Sequence, residues 1–239
     1  MYKYVVKRLL FTIPVLIGVT FIVFTIMALT PGDPGRMILG QAAKQEAVAQ
    51  LNHELGYDRP FFTRFFEYLK DIVTKLDFGE SYRTRKPVFD EIWAKFPHTF
   101  KLAVFSIIFS SLIGVSLGIL SAVKQYTFID TFSTVMAMFF AAIPGFWLGM
   151  MLIYFFSLRF GLLPSSGIDS WQGFILPIVT LTLSGSASLL RLTRSTMLET
   201  IRADYIRTAR AKGATQKIVI WRHALKNALL PVITVLGMQ

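Results

Sequence analysis

The chain has 239 residues, 54% of them hydrophobic, and a net charge of +11, against roughly 45–50% apolar residues in ordinary soluble domains. It has no cysteine, which excludes a disulfide framework, a thiolate zinc site and a thiol nucleophile. The basic excess stands at the edges of long apolar stretches, which points away from a nucleic-acid surface and towards loops held at one side of a membrane.

Lys3, Lys7 and Arg8 precede Leu9–Thr30, 22 residues without a charge. A helix of about 20 apolar residues crosses a bilayer. The run is too long for the core of a secretory signal, and no small-x-small cleavage site follows it. It is predicted to be an uncleaved first span with its N-terminus in the cytoplasm. Pro31-Gly32-Asp33-Pro34-Gly35 is a turn that ends it. Residues 31–98 then carry ten basic and ten acidic side chains. Two short helices are expected there, Glu46 to Leu55 and Pro60 to Leu76, in a small aromatic-rich cap outside the membrane.

Leu102–Val123 is a second uncharged run of 22 residues. Ser110, Gly114 and Gly118, with Ser106 in the same row, repeat every four residues. They are expected to let another helix approach closely. A short inner turn around Lys124, Gln125 and Asp130 leads to Thr131–Leu158, 28 uncharged residues read as one span kinked at Pro144-Gly145. Gly161 to Ser170 is an external loop rich in turn residues. The fourth span follows over 170–193 and contains Ser184-Gly185-Ser186-Ala187-Ser188. Ser184, Ser186 and Ser188 can line an aqueous path or simply pack. Arg191 to Lys226 holds nine Lys/Arg against Glu199 and Asp204, which places it inside. Asn227–Gln239 starts a fifth span that stops after 13 residues, and a C-terminal truncation is expected.

No catalytic constellation is visible. The span interiors are read as free of ionisable residues, unlike proton or ion relays. His53, His98 and His223 lie far apart, without metal-ligand spacing, and no GxxxxGK[ST] phosphate loop is present. A channel, or a subunit driven by a separate ATPase, remains. Within the basic segment, Ala203 to Ala211 is a predicted short helix with Asp204 near its start and Arg207, Arg210 and Lys212 towards its end, both suited to the helix dipole. Gly213 fits a left-handed C-cap. Thr215 is expected to cap a second helix carrying Ile218, Trp221 and Leu225. The result is an elbow projecting into the cytoplasm. The alternative is a basic helix lying on anionic lipid.

The stretch ADYIRTARAKGATQKIVIWRHALKNALLP resembles the "EAA" loop of bacterial ATP-binding cassette importer permeases. It is most similar to the "B" subunit of the dipeptide, oligopeptide and nickel group, which reads roughly DYxRTARAKG and then HALxNALLP. The resemblance extends to KRLLFTIPVLIGVTFIVFTIMALTPGDP at the start, LGYDRP at Leu55 to Pro60, DFGES at Asp77 to Ser81, and GFWLGMMLIYFFSLRFGLLPSSG at Gly145 to Gly167. It implies an all-α polytopic membrane protein with the type I permease fold, truncated in the fifth of six spans.

The organisation so implied is a first span at 1–30, an extracytoplasmic segment at 31–98 and a core permease at 99–239. The core holds helices at 102–123, 131–158 and 170–193, the loop 199–226, and the start of the fifth span at 227–239. Glu199, Asp204, Tyr205, Arg207, Thr208, Ala209, Arg210, Ala211, Lys212 and Gly213 would form the ATPase-coupling loop, with Tyr205, Ile206 and Ala209 available to a groove on the ATPase. The family further implies a second homologous permease as heterodimer partner, two cytoplasmic ATPases binding ATP and Mg, and an extracytoplasmic substrate-binding protein. The chain itself is expected to bind no cofactor, metal or nucleic acid, and to reside in a bacterial or archaeal cytoplasmic membrane. Peptides are the expected cargo. Nickel or another small ligand is the alternative within the family, and an ATP-independent channel or carrier is the alternative outside it.

Overall fold

The computed structural model describes residues 2–30, 32–81 and 83–238. The chain divides into two compact units, Met1–Phe96 and Pro97–Gln239. Among the described residues the structure is helical, apart from one isolated bridge between Glu80 and Pro87. Among the described residues, four helices are long and apolar enough to cross a membrane, or five if one sharply bent pair counts as a span.

The first unit opens with α1 (Tyr2–Leu29), 28 residues with none buried. At 1.5 Å per residue it spans about 42 Å, more than the ~30 Å hydrocarbon layer. The hydroxyls of Thr12, Thr20 and Thr25 donate to carbonyls one turn back at 2.7–3.0 Å. They need no water, as lipid exposure requires. The turn after α1 includes Pro31, which lies outside the described residues. Asp33 caps α2 (Pro34–Leu39) by accepting from the Arg36 amide. Asn52 of α3 (Gln45–Glu54) clamps the same turn. It donates to Asp33 at 2.7 Å and accepts from the Gly35 amide at 2.8 Å. The Asn52 hydrogen bond holds the Asp33 carboxyl below the usual carboxylate range. A Cβ on Gly35 would meet the Val48 carbonyl at 2.8 Å, so the close approach requires glycine. Phe61 and Phe65 of α4 (Phe61–Lys75) pack edge-to-face on Phe21 and Phe24 of α1.

The second unit is built around two long helices. α5 (Val88–Val123) contains Pro97 and reaches well back from the uncharged run that defines the expected span. A charge ends hydropathy but does not end a helix. The same holds for α8 (Ile175–Ile201), which opens on a 3₁₀ turn at Trp171–Phe174 and continues past Arg191 and Arg194. The two helices approach closely along small residues. A Cβ on Gly114 would lie 2.7 Å from the Ser186 carbonyl and the Leu189 Cβ, and one on Gly118 would lie 2.6 Å from the Thr193 Cβ. Gly185 faces Ser110 in the same seam.

The expected third span is not one kinked helix. α6 (Phe128–Ala142) and α7 (Gly145–Leu152) meet at 97°, and α7 is prolonged by a π-helical turn at Ile153–Arg159. Ile143 is extended at the break, with φ −77° and ψ 126°. A residue before proline is driven out of the helical region, and Pro144 has no N–H to continue the ladder. The 15 residues of α6 reach only about 22 Å, so neither arm crosses a bilayer alone. After α8 come α9 (Asp204–Ala211), a short α10 (Gln216–Ile218), a π-helical turn at Val219–Ala224, and α11 (Leu225–Leu236). The last helical segment therefore begins before the expected Asn227, because Arg222, His223 and Lys226 fit within it.

Candidate functional site: a basic elbow and a polar lane

α9 is a closed structural unit. Ala203 stands at its N-cap without a side-chain bond, and Asp204 places an acid in the first turn. At the other end Gly213 has φ +83°. Its amide donates to Arg210 and the Ala214 amide donates to Ala209, at 2.9 and 3.2 Å. This pair of bonds is a Schellman cap, and glycine removes the Cβ penalty of the left-handed position. Thr215 occupies the next N-cap with extended backbone, but its hydroxyl makes no capping bond. The expected cap is present in position only.

One side chain of α9 is buried. Ile206 is fully buried, at 0% exposure. It enters a cluster of Met197 from α8, Ala122 from α5, Val219, Ile220 and Ala224 from the π turn, and Ala228 from α11. Ile206 is therefore not available to a partner, contrary to the sequence-based expectation. Three- and four-residue spacing cannot distinguish an apolar residue that packs on its own chain from one that awaits another. Tyr205 is 45% exposed, and its hydroxyl accepts from Asn227 at 3.1 Å. Ala209 is half-buried, while Asp204, Arg207, Thr208, Arg210, Ala211, Lys212 and Gly213 are exposed. Arg207 meets Asp204 at 3.4 Å, and both remain in solvent. The outward face of α9 is cationic.

Beside the elbow is an ion pair that the sequence did not disclose. Arg194 donates to Asp130 through Nε at 2.7 Å and through its terminal nitrogen at 2.9 Å. The Asp130 side chain is 5% exposed and that of Arg194 26%. Ser121 donates to the same carboxylate at 2.5 Å, and the Tyr126 amide does so at 3.0 Å. These bonds tie α5, the α5–α6 turn, α6 and α8 together. A buried carboxylate is stable only when paired and saturated with donors. One signal was available: an acid in the first turn of one helix and a base near the end of another, both at the same predicted membrane edge.

A polar lane runs along the face of α8 turned away from the α5 seam. Ser184, Ser188 and Arg191 follow at four and then three residues, which keeps them on one stripe. They help to line a cavity of about 890 Å³ with Phe140, Phe146, Gly149 and Thr180. Ser186 is not on this stripe. It is 7% exposed, bonds to the Leu183 carbonyl and lies against α5. A second cavity of about 590 Å³ is lined by Arg191, Arg194, Ser195, Glu199 and Arg202 of α8 and by Thr134 and Met138 of α6. Glu199 thus faces this cavity. Among the described residues no group of three or more His, Cys, Asp or Glu side chains could hold a metal ion.

Residues 1–103 match the family model "Binding-prot-dependent transport system membrane comp, N-term", and residues 114–239 match "Binding-protein-dependent transport system inner membrane component". The chain belongs to this family of transport permeases. It is 40% identical over 267 residues to "Dipeptide transport system permease protein DppB" of Alkalihalophilus pseudofirmus, covering 100% of this chain and 80% of that one. It is also 40% identical over 239 residues to "Glutathione transport system permease protein GsiC" of Escherichia coli K12, covering 100% and 78%. As a permease of this family, the chain is the multi-pass membrane subunit of an ATP-binding cassette importer, not an enzyme. A permease of a binding-protein-dependent system works with a separate binding protein. Its membrane fold places a basic elbow, a saturated ion pair and a polar lane around the same segment of α8.

Proposed function

We propose that this permease imports short peptides and forms one side of the translocation path. The single observation that carries the mechanism is the anchorage of α9 through Ile206. The cluster around Ile206 joins the ends of α5 and α8 to the start of α11. A force applied to the cationic face of α9 is passed to all three helices, because a close-packed cluster transmits displacement instead of absorbing it. The elbow is thus suited to couple ATPase closure to a change of the membrane helices. It leaves α9 without a free apolar face, which disfavours a helix lying on lipid.

In this proposal Glu199 to Gly213 is the coupling loop on the cytoplasmic side. The N-terminus is also cytoplasmic, and residues 31–98 lie outside. A second homologous permease completes the path, two ATPase subunits bind ATP and Mg, and the whole resides in a bacterial cytoplasmic membrane. Ser184 and Ser188 offer neutral hydrogen-bonding groups along the larger cavity, matched to peptide amides. The relatives named for dipeptide and glutathione transport support a peptide cargo. The cation Arg191 in both cavities disfavours nickel. Reconstitution with the partner subunits and binding protein tests the proposal. Dipeptide uptake should require ATP, and a reporter fused after Lys212 should be cytoplasmic while one after Thr84 is external. Uptake that persists without ATP, or the reverse topology, would sink it.

A further inference from the structure

The first sixteen residues of α8, Ile175 to Leu190, carry no charge, and Arg191 follows them directly. A guanidinium in such a helix is costly unless it is paired, reaches an interface or faces water. Arg194, one turn further on, is neutralised by Asp130. Arg202 donates to Gln125 at 3.3 Å. Arg191 is exposed and makes no hydrogen bond or ion pair among the described residues. Neither Asp130 nor Glu199 serves it. Asp130 already accepts from Arg194, Ser121 and the Tyr126 amide, and Glu199 forms no ion pair with it. Arg191 also lines both cavities. The polar lane therefore has an unneutralised cation that borders both spaces.

We propose that Arg191 recognises the carboxylate of the cargo as it passes between the two cavities. This narrows the substrate class to short peptides and related amides that carry a free carboxylate, and it rests on the import function proposed above. The guanidinium fork matches a carboxylate in two parallel bonds. Ser184 and Ser188, one and two turns away on the same stripe, are placed for the neutral part of the same molecule. An exposed cation in a water-accessible space binds an anion strongly enough to orient it and weakly enough to release it, which passage requires. The phosphate of a phospholipid would satisfy the same fork, so the experiment must separate the two.

The test uses the complete importer, reconstituted in liposomes with its partner subunits and binding protein, in wild-type, R191Q and R191K forms. Dipeptide uptake, ATP hydrolysis, thermal stability and co-purified phospholipid are measured together. R191Q should lower uptake about ten- to a hundredfold, the worth of one charge-assisted hydrogen-bonded contact. R191K, which keeps the charge but loses the two-bond fork, should fall between R191Q and wild type. Both variants should keep wild-type thermal stability, because Arg191 is exposed and is not among the residues of the Ile206 cluster. Wild-type uptake by R191Q overturns the assignment, and so does an equal loss in both variants. Reduced phospholipid in R191Q with unchanged uptake assigns the residue to lipid and also overturns it. A wild-type importer that carries no peptide overturns the import function itself, and this is seen before any variant is compared.

Discussion

Replacing Ile206 with alanine removes three buried carbons from the point that holds the elbow. Ile206 is fully buried among Met197, Val219, Ala224 and Ala228. At about 0.8 kcal/mol per buried methylene, the transfer loss alone is about 2.4 kcal/mol. The cavity left behind raises the total to about 2–5 kcal/mol. α9 has only eight residues, and an isolated helix shorter than ~12 residues is marginal in water. Most of its local stability must therefore come from this one contact and the Gly213 cap. I206A should free α9 from the cluster without unfolding the membrane helices. The expected outcome is wild-type ATPase co-purification, since the cationic face is intact, with uptake reduced at least tenfold. I206V, which removes one carbon, should cost about 0.5–1.5 kcal/mol and lose far less uptake. Uptake and thermal unfolding of the purified permease would be measured for both variants. If I206A keeps wild-type uptake and an unchanged unfolding midpoint, Ile206 is not the anchor and the coupling argument fails.

Three further outcomes are expected. D130N and R194Q should each destabilise the permease by about 2–4 kcal/mol, less than a fully buried pair would lose because Arg194 remains 26% exposed; a double-mutant cycle should show strong non-additivity, and simple additivity would refute the pairing. G118A should cost about 1–3 kcal/mol by forcing α5 away from Thr193. G145A, which meets nothing within 4 Å, should be close to neutral, and equal thermal shifts in these two variants would contradict the close approach. G213E should insert normally but abolish ATP-dependent uptake, whereas G213N, which tolerates positive φ, should retain part of it; normal uptake by G213E would count against a rigid elbow.

Much of this molecule was legible without coordinates. The long uncharged runs announced the spans, because a bilayer core selects directly for apolar composition. The four-residue repeat of Ser106, Ser110, Gly114 and Gly118 announced a contact face, and the structure buries all four. The loop from Asp204 to Gly213 could be read because dipole complementarity and a left-handed cap are local matters.

The failures share one cause. Charge-free runs misplace helix ends, since the chain stays helical through Arg191, Arg194 and Pro97. Pro144 signalled an interruption, but not whether it would be a kink or the observed 97° break. Ser184, Ser186 and Ser188 look alike in sequence, yet Ser186 faces α5 while the other two face a cavity. Ile206 looked available and is buried. The sequence by itself determined the membrane class, the presence of long apolar helices and the local design of the elbow, because each depends on neighbours a few residues apart. Only the tertiary structure decided which face of α8 lines a cavity, which arginine is neutralised and what α9 is fastened to. Those depend on residues far apart in the chain, such as Ser121 and Arg194, separated by 73 positions, and no local pattern encodes which distant partner arrives.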